Sequence, residues 1–359
     1  YFKILNINNN IIKIKYDKSF LLKSNDINSN DSNIIIIKKY GNSQNFEWVE
    51  DLGYSLINYV ELQIGGQKID KHYGRFLSIW SQLTKKINLD KSYKELIDCE
   101  KNINSKTLYV PLSFFFCKNN GLALPLIALQ YHPVNLIFEF NSKNMCNTTN
   151  SENIQLNNTS LIVNYIFLDT EERNRFAQSS HEYLIEQVQF TGYENVESSQ
   201  TINKINNKRL NFSHPIKELI WCISQISSNN PDNSKYKFIN FTNNKEMLNG
   251  KNPVFSTLLQ LNGSDRFYEE SGEFFNYLQP LLHHTRTPNN GINIYSFGLT
   301  PEEHQPSGTC NFSRLDNCTL KVTLRKDDDN EIGKNLYVYA INYNILRIVQ
   351  GMGGLAYAN

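Results

Sequence analysis

The feature that most constrains the fold is a two-residue alternation of apolar and polar side chains along the chain of 359 residues. The segments 59–64, 134–140 and 319–325 place their apolar residues at every second position. Successive side chains of a strand point to opposite faces, so this period is typical of strands with one buried face. Many short strands favour an all-β chain built from sandwiches or barrels. Further strand candidates are 108–116, 160–168, 183–190, 217–224, 255–261, 292–297 and 336–348.

Two segments break the pattern and predict amphipathic helices. In 71–84 and 273–284, large apolar residues recur every three or four positions, the spacing of one helix face. Pro280 is expected to kink or shorten the second helix. Each helix follows a strand and a glycine turn, and these units start at Glu61 and Leu258, a little over half the chain apart. This repetition predicts a duplicated domain.

The repeat divides the chain into two predicted domains joined by a polar helix. The segment 169–180 is rich in charged residues and is predicted to be that helix. We therefore expect a first domain at 1–168, a helical connection at 169–182 and a second domain at 183–359.

Composition argues against several classes of protein. The 36 basic and 35 acidic residues give a net charge of +1, so no overall field favours direct binding to nucleic acid. No run of 18 apolar residues and no N-terminal signal pattern is present, which argues against a membrane protein and against secretion. The six cysteines lie far apart without a CxxC pair, so we expect reduced thiols.

Two patterns suggest metal binding, but each is better explained by a structural role. His283, His284 and His304 could be ligands, yet adjacent helical histidines point in different directions and no HExxH spacing occurs. The acidic run 327–331 lacks the alternation of a calcium loop and is interpreted as a solvated hairpin turn. We predict no metal site and no cofactor.

Catalytic motifs are also missing from the sequence. The acid pairs 171–172 and 302–303 consist of neighbours that diverge in direction, and we interpret them as charges near helix N-termini. No GxSxG, P-loop or Cys/His signature is found. The sequence therefore does not predict an enzyme.

Specific strings are more informative than periodicity, and they are spread over about residues 46–359. Their order and length resemble the major capsid proteins of the nucleocytoplasmic large DNA viruses, the phycodnavirus, iridovirus and mimivirus-like group. The strings are GGQKIDKHYG at 65–74, YVPL at 109–112, GLALPLIALQYH at 121–132, FLDTEER at 167–173, NFSHP at 211–215, GINIYSF at 291–297, PEEHQPSG at 301–308, NFSR at 311–314 and GMGGLAY at 351–357.

The resemblance implies two tandem eight-stranded jelly rolls with short helices in the connections. It also implies a homotrimer, pseudo-hexagonal in outline, that tiles an icosahedral shell with neighbouring capsomers and minor capsid proteins. Such a shell surrounds an internal membrane and is assembled in the host cytoplasm. No cofactor, catalytic residue or direct contact with nucleic acid is implied. Residues 1–45 match the family poorly, and we expect the first jelly roll to be incomplete at its N-terminus.

Loops of such a subunit are the expected sites of contact with its neighbours. We predict that His132, His283, His284, Arg286, Glu303 and His304 lie at or near subunit interfaces. Packing of these loops within one subunit is an equally good interpretation. Asn147, Asn157 and Asn158 lie in Asn-x-Ser/Thr sequons within a loop-like stretch and are candidate glycosylation sites.

Two other functions remain open. The same fold could serve a scaffolding protein or a minor capsid paralogue, and retention in purified virions separates these from a major capsid protein. Jelly rolls also occur in carbohydrate-binding proteins and hydrolases. Two acidic side chains that converge in one cleft would favour a carbohydrate-binding protein or a hydrolase.

Overall fold

The computed structural model describes residues 2–8, 11–16, 35–40, 48–98, 105–142, 145–146, 153–157, 159–199, 201–225, 238–244, 249–326 and 334–358. The chain divides into two compact units. Unit 1 contains residues 1–74, 92–187 and 344–359, and unit 2 contains residues 75–91 and 188–343.

Unit 1 contains two antiparallel sheets. The strands are β1 (Phe2–Asn8), β2 (Ile11–Tyr16), β3 (Ile35–Tyr40), β4 (Ile57–Ile64), β5 (Gln67–Tyr73), β6 (Ser105–Leu108), β7 (Val134–Phe140) and β8 (Asn153–Asn157). One sheet has the order β1-β2-β7-β4-β5, and the other has the order β6-β3-β8. Alternate residues of β4 and β7, such as Leu62 and Leu136, share a core with Leu108 of β6. The two-residue alternation thus buries one face of each strand.

Unit 2 also contains two antiparallel sheets. The remaining strands of the chain are β9 (His181–Phe190), β10 (Glu194–Val196), β11 (Lys204–Arg209), β12 (Pro215–Gln225), β13 (Val254–Leu261), β14 (Ser264–Asp265), β15 (Glu270–Ser271), β16 (Ile292–Ser296), β17 (Cys310–Asn311), β18 (Cys318–Leu324), β19 (Lys334–Val349) and β20 (Met352–Leu355). One sheet runs β10-β19-β12-β16, with β17 pairing on β12. The other runs β11-β18-β13-β14, with β15 pairing on β13.

Both sheets of unit 2 contribute to one apolar core. Trp221 of β12 is fully buried, and its ring centroid lies 5.1 Å from that of Phe275. Leu259 of β13 and Leu320 of β18 belong to the same cluster. Removal of such side chains from water is the main force that favours folding.

Strand β19 is the longest in the described part of the chain, with 16 residues. Its residues up to Tyr343 belong to unit 2, and those from Asn344 onward belong to unit 1. There β20 pairs with it, opposing Leu346 to Leu355. Strand β9 also pairs with β19.

Short helices connect the strands. They are α1 (Leu52–Leu56), α2 (Gly74–Thr84), α3 (Asp90–Ile97), α4 (Phe115–Lys118), α5 (Thr170–Gln178) and α6 (Gln279–His283), with a π-helix at Phe274–Leu278 and 3₁₀ turns at Ile87–Leu89, Asn120–Leu122 and Phe312–Arg314. Asp169 caps α5, because its carboxylate accepts a hydrogen bond from the Glu172 amide at 2.8 Å. The predicted polar helix at 169–180 is confirmed.

Most of the predicted strands are confirmed. The segments 59–64, 134–140 and 319–325 fall on β4, β7 and β18. The five predicted between residues 183 and 348 fall on β9, β12, β13, β16 and β19. Strands β1, β2 and β3 lie within residues 1–45, where the sequence analysis names no strand.

Two predicted strands are wrong. In 108–116, β6 ends at Leu108 and α4 begins at Phe115, and Pro111 between them cannot donate to a ladder. The segment 160–168 forms no strand. Its apolar residues suggested one-sided burial, but Ile166 and Phe167 are 63% and 87% exposed.

The predicted helices need adjustment at their ends. Helix α2 begins at Gly74, three residues later than expected, because 71–73 extend β5, where Tyr73 pairs with Tyr59 of β4. In the second segment the π-helix precedes α6, and Pro280 lies in the first turn of α6. The helical residues run without a break from 272 through Pro280 to 283, and the π-helix before Pro280 is the kind of irregularity that accommodates a residue without an N–H. The predicted shortening at Pro280 is therefore not observed, and a kink there stays a prediction.

The domain limits predicted from the sequence, 1–168, 169–182 and 183–359, differ from the limits of the two units. Residues 75–91 belong to unit 2, and residues 344–359 belong to unit 1. The units describe compactness, whereas the predicted limits follow the internal repeat. Those limits therefore stay a prediction.

Three other sequence features were located. No helix within the described ranges is long and apolar enough to cross a bilayer. Cys117, Cys146, Cys222, Cys310 and Cys318 are free thiols, whereas Cys99 lies outside the described residues. The acidic run 327–331 also lies outside them.

Gly291, directly before β16, provides a test of the unit 2 core. Its φ is +94°, and a Cβ there would meet the carbonyl oxygen of Phe241. Gly192 has a similar φ of +102° but open space around it. We expect Gly192→Ala to cost about 1 kcal/mol of unfolding free energy from backbone strain alone. Gly291→Ala should cost roughly 3 kcal/mol or more, because a buried carbonyl must also move.

Urea unfolding monitored by tryptophan fluorescence measures both variants of this pair. Equal losses of unfolding free energy in the two variants would show that the close approach of the Phe241 carbonyl to Gly291 does not contribute to the cost.

Candidate functional site

A buried histidine at the end of α6 forms the centre of the candidate site. The His284 amide donates to the Pro280 carbonyl at 2.8 Å and closes the helix. The His284 side chain is 0% exposed, and each ring nitrogen faces a carboxylate. Nε2 lies 2.5 Å from Oε1 of Glu218, and Nδ1 lies 2.9 Å from Oε1 of Glu302. Both contacts have hydrogen-bond geometry, so the ring is fixed from two sides.

A β-bulge places Glu218 in this position. In the β12–β19 ladder, Ile216 pairs with Asn342, but Glu218 pairs with Ile341. Lys217 is therefore an extra residue on β12, and bulges of this kind redirect the side chains beside them. Glu218 is fully buried, and its Oε2 has no hydrogen-bond partner. An ionised carboxylate in such a place depends strongly on its one charged partner.

Lys217 holds the loop that carries Glu302. We call residues 298–309, between β16 and β17, the 298–309 loop. Lys217 is 1% exposed, and its Nζ donates to the Pro301 carbonyl at 2.5 Å. The same Nζ lies 5.8 Å from the centre of the Trp80 ring, within the range of a cation–π contact. Strand β12 thus contacts His284 through Glu218 and the 298–309 loop through Lys217.

Glu302 joins this loop to the residue after His284. Its Oε1 accepts from the Thr285 amide at 2.7 Å, and its Oε2 accepts from the Thr285 hydroxyl at 2.5 Å. Burial would raise the pKa of Glu302, but the hydrogen bonds from His284 and Thr285 outweigh it and lower the pKa. Glu302 is therefore a stable anion in the folded chain.

The two carboxylates determine the charge of His284. Burial acts to lower the pKa of the imidazole, but the charges and hydrogen bonds of Glu218 and Glu302 raise it to about 9. The protonated ring has two N–H donors, one for each carboxylate. The site at neutral pH is thus a buried imidazolium between two anions.

An ion pair two residues further on fixes the direction of the chain. Nη1 of Arg286 lies 2.8 Å from Oδ1 of Asp90, and Nζ of Lys85 lies 3.1 Å from the same oxygen. The Arg286 amide also donates to the Leu83 carbonyl at 3.0 Å. The hydrogen bond from Arg286 is the main cause that lowers the pKa of Asp90 to about 2. The 284–286 segment is therefore bound at both ends.

Helix α6 and the π-helix before it present apolar side chains to solvent. Leu281 and Leu282 are 70% and 62% exposed, and Leu299 of the 298–309 loop is 73% exposed. Nδ1 of His283 lies 3.0 Å from the Leu299 carbonyl oxygen, which joins the loop to the helix. We call Tyr277, Leu278, Leu281, Leu282 and Leu299 the apolar patch; the first two are 44% and 42% exposed.

His132 lies in a different place, in unit 1. Its Nδ1 is 2.9 Å from the Gly353 oxygen and 3.1 Å from the Gly353 amide nitrogen. A Cβ on Gly65 would meet the His132 ring. The segment 351–355 therefore packs on its own unit.

The structure brings only some of the predicted interface residues together. His283, His284 and Arg286 lie on one segment, and the loop with Glu303 and His304 contacts it. The His284 side chain is completely buried within one chain, so it could lie near an interface but not contact a second copy directly. For all six predicted residues, a position at or near an interface remains a prediction.

The remaining sequence interpretations have mixed outcomes. The pair 171–172 lies in the first turn of α5, as expected. The pair 302–303 is in a turn and not at a helix N-terminus, because Glu302 is held by Thr285 instead. No cluster that could hold a metal ion occurs among the described residues. Asn157 ends β8, while Asn147 and Asn158 lie outside the described residues.

Sequence reasoning missed Lys217, Glu218 and Asp90 as parts of the site. Glu218 and Lys217 were included in a predicted strand, but nothing in the local pattern showed that a bulge would bury both. Asp90 lies 196 positions from Arg286 along the chain. The one available signal was a charged pair, Lys-Glu, in an otherwise apolar strand.

The buried imidazolium predicts a fall in stability with rising pH. A group whose pKa is higher in the folded than in the unfolded state stabilises fully below its unfolded value, about 6.5 for histidine. That contribution is lost as the pH rises through about 9. Between these values the unfolding free energy should fall by up to about 1.4 kcal/mol per pH unit. His284→Gln should flatten this slope.

Urea unfolding at half-unit steps from pH 6 to pH 10 measures the slope. His181→Gln is the matched control, because His181 Nε2 contacts the neutral Phe176 carbonyl at 2.8 Å. An unchanged slope in His284→Gln would refute the assignment.

Comparison with known proteins gives the family. Residues 172–354 match a family profile described as large eukaryotic DNA virus major capsid protein, and residues 29–169 match one described as major capsid protein N-terminus. The major capsid protein of Pyramimonas orientalis virus is 42% identical over 339 residues, covering 86% of this chain and 78% of that protein. That of Paramecium bursaria Chlorella virus 1 is 40% identical over 359 residues, covering 85% and 79%.

Solved structures agree with these relatives. The crystal structure of PBCV-1 VP54, fitted into a reconstruction of the virophage Sputnik, matches with a TM-score of 0.75 at 31% identity, covering 98% of this chain and 93% of that one. The quasi-atomic PBCV-1 capsid matches with a TM-score of 0.74 at 33% identity and the same coverage. The likeness confirms the expected fold, two tandem jelly rolls. The chain therefore belongs to the major capsid proteins of the large eukaryotic DNA viruses, structural proteins that form the shell of the virion.

Proposed function

We propose that this chain forms homotrimers, the capsomers of an icosahedral shell, and that the apolar patch lies in the contact between copies. The observation that carries the proposal is the exposure of five large apolar side chains on α6, the π-helix before it and the 298–309 loop of unit 2. Soluble proteins seldom leave such a patch open to water without an interaction partner. Its position beside the predicted interface loops supports the same assignment.

A second copy of this chain is the occupant that we propose. The chain is similar to the PBCV-1 capsid, and its family assembles into capsid lattices with neighbouring capsomers. A shell made of many copies needs large contacts with apolar centres. Along the helix, Leu278 and Leu282 are four residues apart, as are Tyr277 and Leu281, so they form one continuous stripe.

The polar residues around the patch fit the rim of such a contact. We propose rim positions for His283, Arg286, Glu303 and His304, and a second contact near His132. Rim charges contribute more to the choice of partner than to affinity. His284 acts inside the subunit and positions the others.

Other parts of the proposal extend the family assignment. We propose that the trimers contact minor capsid proteins, lie over an internal membrane without binding the genome, and assemble in the host cytoplasm. The role needs no catalytic group and no cofactor. The domain limits 1–168, 169–182 and 183–359, and glycans on Asn147, Asn157 and Asn158, belong to the same proposal.

Charge placed in the apolar patch should prevent assembly. Leu281→Glu is expected to convert trimers to monomers, because burying an unpaired carboxylate in the contact costs several kcal/mol. Tyr268→Glu is the matched control, since Tyr268 is 88% exposed and outside the patch. The measurement is molar mass by light scattering after size exclusion.

A trimer of Leu281→Glu as stable as the unmodified one would exclude the patch from the contact. A chain that is monomeric at all concentrations, without any substitution, would contradict self-assembly by this chain.

A further inference from the structure

We propose that His284 is a protonation-controlled clamp on the apolar patch: the imidazolium holds the patch in the orientation that binds a second copy, and its deprotonation weakens self-association. This inference rests on the proposed function, because it concerns the regulation of the same contact. The class of event is a reversible proton loss, with no covalent chemistry.

The clamp is adjacent to the patch. His284 follows α6 directly and lies two residues after Leu282. Its contact with Glu302 joins α6 to the 298–309 loop, which carries Leu299. The patch therefore consists of two segments, and the His284 ring is one of the contacts that set their relative position, beside those of His283 and Thr285.

Loss of one proton breaks one of the two contacts. A neutral imidazole has one N–H and one lone pair, so one carboxylate oxygen then faces a lone pair at less than 3 Å. Glu302 retains two hydrogen bonds from Thr285. Glu218 has no such substitute, since its Oε2 is unpartnered and its side chain is 0% exposed. The single N–H therefore stays with Glu218, and the contact with Glu302 is the one that fails.

The other charged groups around the ring are already engaged. From β12, Lys217 binds the Pro301 carbonyl. From the 298–309 loop, Glu303 accepts from the Thr300 hydroxyl at 3.4 Å. From the region of α2 and α3, Lys85 and Asp90 form the cluster with Arg286. Helix α2 itself faces the ring with Trp80, whose centroid is 6.1 Å away and edge-on.

Loss of the proton from His284 is expected to change the structure only around the ring. A carboxylate oxygen that faces a nitrogen lone pair at 2.9 Å is unfavourable, so Glu302 and the His284 ring must separate or admit water. The ion pair of Arg286 with Asp90 does not titrate in this range, because the pKa of Asp90 is about 2. Arg286 therefore stays bound to Asp90, while the 298–309 loop, with Leu299, loses one of the contacts that fix its position against α6.

The pH range is mildly alkaline. The pKa of His284 in the folded chain is about 9, so the clamp is closed at pH 7 and mostly open at pH 10. If contact with a second copy needs the closed form, the apparent dissociation constant should rise at least about tenfold over this interval, which corresponds to about 1.4 kcal/mol.

The test measures self-association of the whole chain by sedimentation velocity and light scattering from pH 6.5 to pH 10. We expect trimers at pH 7 and progressive dissociation above pH 8, with near-ultraviolet circular dichroism showing that each chain stays folded. His284→Gln should lose the pH dependence. His181→Gln, a matched histidine outside the site, should retain it.

A second variant keeps the test valid if His284→Gln fails to fold. Glu218→Gln removes the buried charge and one cause of the raised pKa, so the dissociation midpoint should move toward neutral pH. A histidine NMR titration measures the same midpoint directly in the folded chain.

The outcomes separate the two proposals. Trimers that persist at pH 10, or a pH dependence that His284→Gln leaves unchanged, would overturn the clamp while leaving the trimer intact. If Leu281→Glu also forms normal trimers, the apolar patch is not part of the contact between copies. The proposed clamp on that patch is then overturned as well. Dissociation accompanied by global unfolding would assign His284 to stability alone and would also overturn the clamp.

Discussion

The register of β12 between β16 and β19 is the constraint on which the site depends. Glu218 pairs with Ser296 on one side and with Ile341 on the other, and the bulge at Lys217 sets this alignment. Because side chains alternate along a strand, a slip by one residue would send Glu218 to the opposite face. The carboxylate would then no longer reach His284, and Lys217 would no longer reach the 298–309 loop. The alignment of β12 with its neighbouring strands thus sets the position of the residues that hold the apolar patch.

Buried charges are a costly way to hold a helix against a sheet. An apolar residue in the place of Glu218 could stabilise the unit as well or better, since desolvation often cancels the attraction within a buried pair. An apolar contact, however, does not fix the orientation of the side chains that form it. Two hydrogen bonds at opposite edges of one ring fix its plane, and the bonds of Glu302 with Thr285 extend that order by one residue. We infer that the arrangement serves orientation more than stability.

The sequence predicted the strands whose burial is one-sided, and it failed where burial follows another rule. Strands β4, β7 and β18 alternate because one face meets a core and the other does not. The segment 160–168 has a similar composition, but Phe167 faces solvent, and composition alone does not reveal which apolar segments find partners. The family resemblance included the segment around Glu302, and His284 was predicted separately as a residue at or near an interface. The sequence could not show that these residues meet Glu218, since a contact over 66 positions is a property of the fold.

Strand β19 contributes to two cores. Leu336, Val338 and Ala340 complete the core of unit 2, whereas Leu346 and Ile348 complete the core of unit 1. A nascent chain that lacks residues 334–349 has therefore finished neither core. Translation proceeds at about 5–20 residues per second, so both incomplete sandwiches present unpaired edges and apolar faces until these residues are made. The sixteen residues of β19 then complete both cores. Exposed apolar surface and unpaired strand edges of this kind make a chain prone to aggregation before they are covered.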